Sequence, residues 1–245
     1  MPRVPVPWGG VPAALRAIDW VCTFVFAVEG AITAASSGMD LLGVIIVGIV
    51  TAVGGGTVRD FALLHRRPCW VDEVEYIVFS VIAAVLVFFT WPLLPAGNVI
   101  KADSGSPGAL LWWLDSLGLG LFAVTGAQAG MRASITPALS IASGMLTATF
   151  GGVIRDVLCS LPVRILHSHA EIYAVAALTG AALYVLSRRV GLRYGFATVF
   201  AIAATVLLRC LAVRYSLALP EWGHPSWHVD PLRSSDTGRV LRGVR

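Results

Sequence analysis

The chain repeats itself at a spacing of 96 residues. D-x6-FAVEGA runs from Asp19 to Ala31 and D-x6-FAVTGA from Asp115 to Ala127. The same spacing carries Gly48, Thr51, Ala52, Gly55, Gly56, Arg59 and Asp60 onto Gly144, Thr147, Ala148, Gly151, Gly152, Arg155 and Asp156, and Glu75 onto Glu171. Each copy holds three apolar runs, an odd number, so the second copy must enter a membrane from the side opposite to the first. Two such copies meet about an axis in the membrane plane, with any pathway at their interface near mid-bilayer.

Seven apolar runs are read, at 17–37, 41–64, 74–94, 110–130, 137–158, 171–187 and 194–211. A crossing needs about 20 apolar residues, and in lipid each backbone group must bond within its own segment, so runs of this length are helices. The expected fold is an all-α membrane protein of seven transmembrane helices, two inverted three-helix repeats plus a seventh helix. Its parts are an N-terminal segment 1–16, a first repeat 17–94, a linker 95–109, a second repeat 110–187, the seventh helix 188–211 and a mobile tail 212–245. Thr136-Pro137 reads as an N-cap followed by proline at the first helical position. The first span is expected to serve as its own insertion signal.

With 57% hydrophobic and only 13% charged residues, the chain is neither disordered nor a water-soluble enzyme. The net charge of +4 is scattered over short loops and the tail, so nucleic acid is not a partner. No soluble protein partner is implied either; the partner is the lipid bilayer. Cys22, Cys69, Cys159 and Cys210 have no metal or disulfide spacing, and the HPSWH segment of the tail is a weak metal candidate. No nucleophile–base pair supports catalysis, and no cofactor is expected. Arg66, Arg67, Arg132, Arg188, Arg189 and Arg193 lie in short loops on one side, the arginines of the tail on the other, which leaves orientation open.

The residues that carry chemistry sit in the second and fifth runs. Gly54, Gly55 and Gly56 in one, Gly151 and Gly152 in the other, are expected to break or bend their helices, since glycine costs about 1 kcal/mol against alanine in a helix. Carbonyls freed at the breaks would coordinate an ion or polar solute; close helix packing through small residues is the plainer alternative. Arg59, Asp60, Arg155 and Asp156 are ionised groups at the ends of these spans. Neighbouring side chains on a helix point apart, so each arginine is expected to find its partner elsewhere. Asp19, Arg59, Asp60 and Glu75 form one cluster, Asp115, Arg155, Asp156 and Glu171 its copy, each with one base against three acids. Two negative mouths would favour cations; structural ion pairing is the alternative.

Glu29 stands ten residues beyond Asp19, about 15 Å along a helix, hence at mid-bilayer. Its counterpart is Thr125. It is an ion contact or proton site by default, or else a buried, hydrogen-bonded acid. Thr51, Thr147 and Ser143 are weaker candidates, since a hydroxyl in such a helix often bonds the preceding turn. His65, His167 and His169 are read as solvated loop residues, and the seventh helix as a packing or oligomer contact.

FAVEGA, DLLGVIIVGIVTAVGGGTVRD and GGVIRDVL closely resemble the prokaryotic members of the trimeric intracellular cation (TRIC) channel family, which share the bacterial glycine-transporter-like domain. The resemblance covers residues 17–211. It implies a homotrimer in the bacterial inner membrane, a pore within each protomer, and passage of monovalent cations, mainly K⁺, past Gly54, Gly55, Gly56, Gly151 and Gly152. Arg155 and Asp156 fall where animal relatives place a basic residue and an acid beside a bound phosphoinositide. Phe150, where the first repeat has Gly54, would narrow one side. A secondary carrier of glycine or another small zwitterion is the alternative, since half-helix N-termini suit a carboxylate equally.

Overall fold

The computed structural model describes residues 13–93, 109–163, 165, 172–215 and 217. The apolar runs fold as helices α1 (Ala13–Ser36), α2 (Leu41–Ala62), α4 (Glu75–Thr90), α5 (Ala109–Arg132), α6 (Pro137–Leu158), α7 (Tyr173–Arg189) and α8 (Tyr194–Tyr215). A short helix, α3 (Cys69–Asp72), lies in the connector between α2 and α4, and a 3-10 turn, Trp91–Leu93, follows α4. There is no strand among the described residues. Five spans, Asp19–Ser36, Leu41–Ala62, Glu75–Leu93, Pro137–Leu158 and Tyr194–Tyr215, are long and apolar enough to cross a membrane. Residues 1–12, the linker from 94 to 108, His167, His169, Glu171 and the tail from 218 on, with its HPSWH segment, lie outside the described residues.

Local chemistry sets the ends. Asp40 caps α2 by accepting from the Gly43 amide at 2.8 Å. Thr136 caps α6, with Pro137 at the first position where a missing N–H costs nothing. Gly191 takes φ +86° between α7 and α8, a backbone that side-chain-bearing residues rarely adopt.

Packing sorts the helices into two trios. α1, α2 and α4 pack on one another, as do α5, α6 and α7; α2 against α6 and α1 against α5 join the trios, and α8 lies along α5 and α7. Phe26 meets Phe122 across the α1–α5 contact, ring centroids 4.7 Å apart. The interior is small and polar: Ser80, Ser140, Ser143, Thr51 and Thr205 are buried, whereas Phe61, Phe89, Phe196 and Val199 stand exposed. This inversion of the usual pattern suits lipid, which solvates apolar side chains and leaves helices to pack through small residues and polar contacts.

The 96-residue spacing does not hold to the end of the third run. Tyr76, the second residue of α4, hydrogen-bonds Asp19, and Tyr173, 97 positions on, does the same for Asp115. Just before Tyr173, Ile172 takes a left-handed φ of 41°, so one extra residue is absorbed there.

Candidate functional site

The α2–α6 crossing is built on glycine, in a different way from the one expected. α-Helical structure runs uninterrupted through Gly54–Gly56 and through Gly151–Gly152. The helix ladder needs no side chain, so glycine here removes thickness and leaves the hydrogen bonds in place. A Cβ on Gly55 would strike the Thr147 carbonyl, and one on Gly151 the Thr51 carbonyl. Since residues 51 and 147, like 55 and 151, are counterparts, the contact is reciprocal, as a two-fold relation requires. Gly54 faces Gly151 and Ile154, while Gly56 and Gly152 leave room beside the guanidinium groups of Arg59 and Arg155. The expected breaks with freed carbonyls are therefore absent, and close packing is what these glycines provide.

At the end of α2, Arg59 turns back on its own neighbour. Its Nε donates to Asp60 Oδ1 at 2.8 Å, with Nη2 also 2.8 Å away. The expectation that adjacent residues do not pair considered only Cβ directions; the long arginine chain reaches around. Nη1 of Arg59 donates to Thr147 Oγ1 across the crossing at 3.4 Å. Arg66, from the connector, adds Nε and Nη2 to the same Asp60 oxygen at 3.0 and 2.8 Å. Asp19 accepts from the Tyr76 hydroxyl at 2.7 Å. Trp70 on α3 donates to Thr57 Oγ1 at 2.8 Å, which ties the connector to α2. Glu75 does not join this cluster: it is exposed, and the buried neighbour Glu73 pairs instead with Arg16 at 3.3 Å. Burial pushes the Cys69 thiol up to about 12, against the opposing effect of Arg59.

At the end of α6 the local motif recurs and its surroundings change. Arg155 Nε and Nη2 meet Asp156 Oδ1 at 2.9 and 2.8 Å. Nη1 donates to Glu29 Oε1 on α1 at 2.6 Å, so the mid-span acid is one half of an ion pair joining the two trios. Asp115 accepts from the Tyr173 hydroxyl at 3.0 Å and from Arg209 Nη1 of α8 at 2.6 Å. All these ionised groups are buried, Asp60 fully so. Each expected cluster of one base and three acids is thus corrected: Arg66 and Arg209 supply a second base, and Glu75 drops out. The acids are paired internally and do not line a negatively charged mouth.

Thr51 bonds the Val47 carbonyl at 2.6 Å and Thr147 that of Ser143 at 2.7 Å, the local role of a membrane hydroxyl, whereas Ser143 reaches Gly126 on α5 at 2.8 Å. Sequence reasoning missed Tyr76, Tyr173, Arg66 and Arg209. A lone arginine in the apolar stretch TVLLRCLA was the available signal for the last.

The family model described as Glycine transporter matches the chain twice, over residues 16–92 and 112–189. The two windows start 96 residues apart and end 97 apart, as the place of Tyr173 requires. The UPF0126 inner membrane protein YadS of Escherichia coli K12 is 32% identical over 211 residues, 84% of this chain and 94% of that protein. Among solved structures, the TRIC trimeric intracellular cation channel orthologue from Rhodobacter sphaeroides is similar with a TM-score of 0.74 and 36% identity, over 84% of this chain and 100% of that one. A second TRIC cation channel structure, described for its conductance, gives 0.73 and 30%, over 85% and 97%. With its five apolar spans, the chain is a multi-pass protein of the bacterial inner membrane.

Proposed function

The chain belongs to the prokaryotic TRIC channel family, whose domain carries the glycine transporter description, and from that premise we propose that it conducts monovalent cations, K⁺ foremost, along a pathway within each protomer of a homotrimer. The observation that carries this reading is the likeness to a solved TRIC cation channel orthologue over that chain's whole length. In the proposed architecture all seven long helices cross the membrane and the two trios are inverted repeats. The reciprocal Gly55–Thr147 and Gly151–Thr51 contacts and the double family match support that symmetry.

The pathway follows the α2–α6 crossing. Its waist is the glycine contact, flanked by Thr51 and Thr147, and its two ends are the Arg59–Asp60 and Arg155–Asp156 pairs. With backbones touching at the waist and Glu29 bridged to Arg155, this conformation is the shut one. Conduction needs α2 and α6 to part, which exposes the Thr51 and Thr147 carbonyls that now face glycine. A dehydrating cation would find oxygen dipoles there.

Purified protein in planar bilayers under a KCl gradient should give unitary currents that reverse near the K⁺ potential. Silence there, together with saturable glycine uptake in vesicles, would establish the carrier alternative and remove the channel reading.

A further inference from the structure

α8 lies outside the two trios, yet it sends a buried arginine into the second. Arg209 is 3% exposed in an otherwise apolar stretch. A charge at the centre of a span costs roughly 2.5–3.5 kcal/mol on insertion scales, so the site that receives it must compensate. Asp115 Oδ2 accepts from Arg209 Nη1 at 2.6 Å, and the guanidinium lies 5.3 and 5.0 Å from the ring centres of Trp112 and Tyr173. Tyr173 donates to the other carboxylate oxygen. Asp19, the counterpart of Asp115, has its tyrosine but no guanidinium within ion-pair distance among the described residues.

The second trio needs that extra base because of Arg155. This guanidinium is bonded to Glu29 of α1 and Asp156 of α6, and it lies in the field of Asp115 of α5 as well. Tyr173 of α7 and Arg209 of α8 complete the charged and titratable described groups around Asp115. Left without Arg209, Asp115 would compete with Glu29 for Arg155.

We propose that Arg209 is a positioning residue for the ion pathway: by holding Asp115 it leaves Arg155 committed to Glu29, so α8 controls the bridge that joins the two trios. The functional consequence rests on the cation-channel reading. When the bridge loosens, Glu29 becomes a mid-membrane carboxylate available to a cation, and the trios lose a tie.

The test uses the full chain in planar bilayers with symmetric KCl. Arg209→Gln should raise open probability about 5–10-fold, the scale of an ordinary coupling between sites, and Arg209→Gln with Asp115→Asn should return it to the wild-type value. An unchanged single variant, or a double variant still raised, overturns the proposal, because a helix that merely packs is not repaired by removing a carboxylate. If Arg209→Gln does not fold, Arg209→Lys serves: with its charge kept it should behave as wild type, and a raised open probability counts against the idea. If the wild-type protein passes no current, the channel reading fails by itself. The coupling is then read by thermal unfolding, where Glu29→Gln should cost less in the Arg209→Gln background than alone; equal costs overturn it.

Discussion

Arg59 and Arg155 occupy matching places in the two trios and are held differently. Each grips the Oδ1 of the aspartate that follows it, by Nε and Nη2, at nearly identical distances. Their third nitrogen separates them. Nη1 of Arg155 finds the carboxylate of Glu29 at 2.6 Å, whereas Nη1 of Arg59 finds only the Thr147 hydroxyl at 3.4 Å. The counterpart of Glu29 is Thr125, whose own hydroxyl stays on α5 near the Phe122 carbonyl. A repeat therefore dictates the local pair, and the one position where the repeat fails dictates how the trios are joined. One end of the crossing is tied by charge, the other by a neutral contact.

The largest expected effect lies where the halves agree. Gly55→Ala and Gly151→Ala each press a methyl group against a backbone carbonyl, Thr147 and Thr51, and a carbonyl held in a helix cannot swing away as a side chain can. Each should cost more than about 4 kcal/mol, at the exceptional end for a point substitution, and leave little folded protein in detergent. Gly56→Ala and Gly152→Ala meet only the tips of arginine side chains and should fold normally. If Gly55→Ala and Gly151→Ala differ greatly in thermal unfolding, the reciprocity of the crossing is wrong.

How much of this was readable beforehand depends on whether a residue's meaning is local. The Thr136-Pro137 boundary and the seven helices follow from short-range chemistry and hydropathy, and α6 begins and ends at Pro137 and Leu158 as expected. The glycines were legible as important but not in their role, because a sequence records a missing side chain and says nothing of the carbonyl that fills its place. Arg66 and Arg209 were invisible as members of the clusters, since their partners Asp60 and Asp115 sit on other elements. Tyr76 and Tyr173 escaped the constant spacing through the single residue absorbed at Ile172.

The middle-sized effect lies where the halves differ. Glu29→Gln removes one partner of a buried pair and leaves Arg155 with Asp156 alone. Breaking such a pair costs about 3 kcal/mol or somewhat more, read as a drop in thermal stability. Under the channel reading it should also raise open probability. Thr125→Val, the matching change in the other half, should alter stability by less than about 1 kcal/mol, because its hydroxyl contributes one long local bond at 3.4 Å. Equal losses from the two variants would mean that the bridge does not distinguish the halves.

The smallest effect concerns the connector that reinforces the first half. Trp70 donates its indole N–H to Thr57, one turn before Asp60, while Arg66 from the same connector reaches Asp60 itself. Trp70→Phe keeps an aromatic body and deletes only the hydrogen bond, a loss of about 1 kcal/mol. The Thr57 hydroxyl keeps its own bond to the Val53 carbonyl at 2.8 Å, so no polar group is stranded and the cost should not grow. Its visible consequence is local: amide exchange should quicken in residues 63–74 and stay unchanged in α6. Faster exchange at the Arg155 end as well would show that the two ends of the crossing are coupled through α2, and the contrast between a charge-tied end and a neutral one would then describe a single cooperative unit.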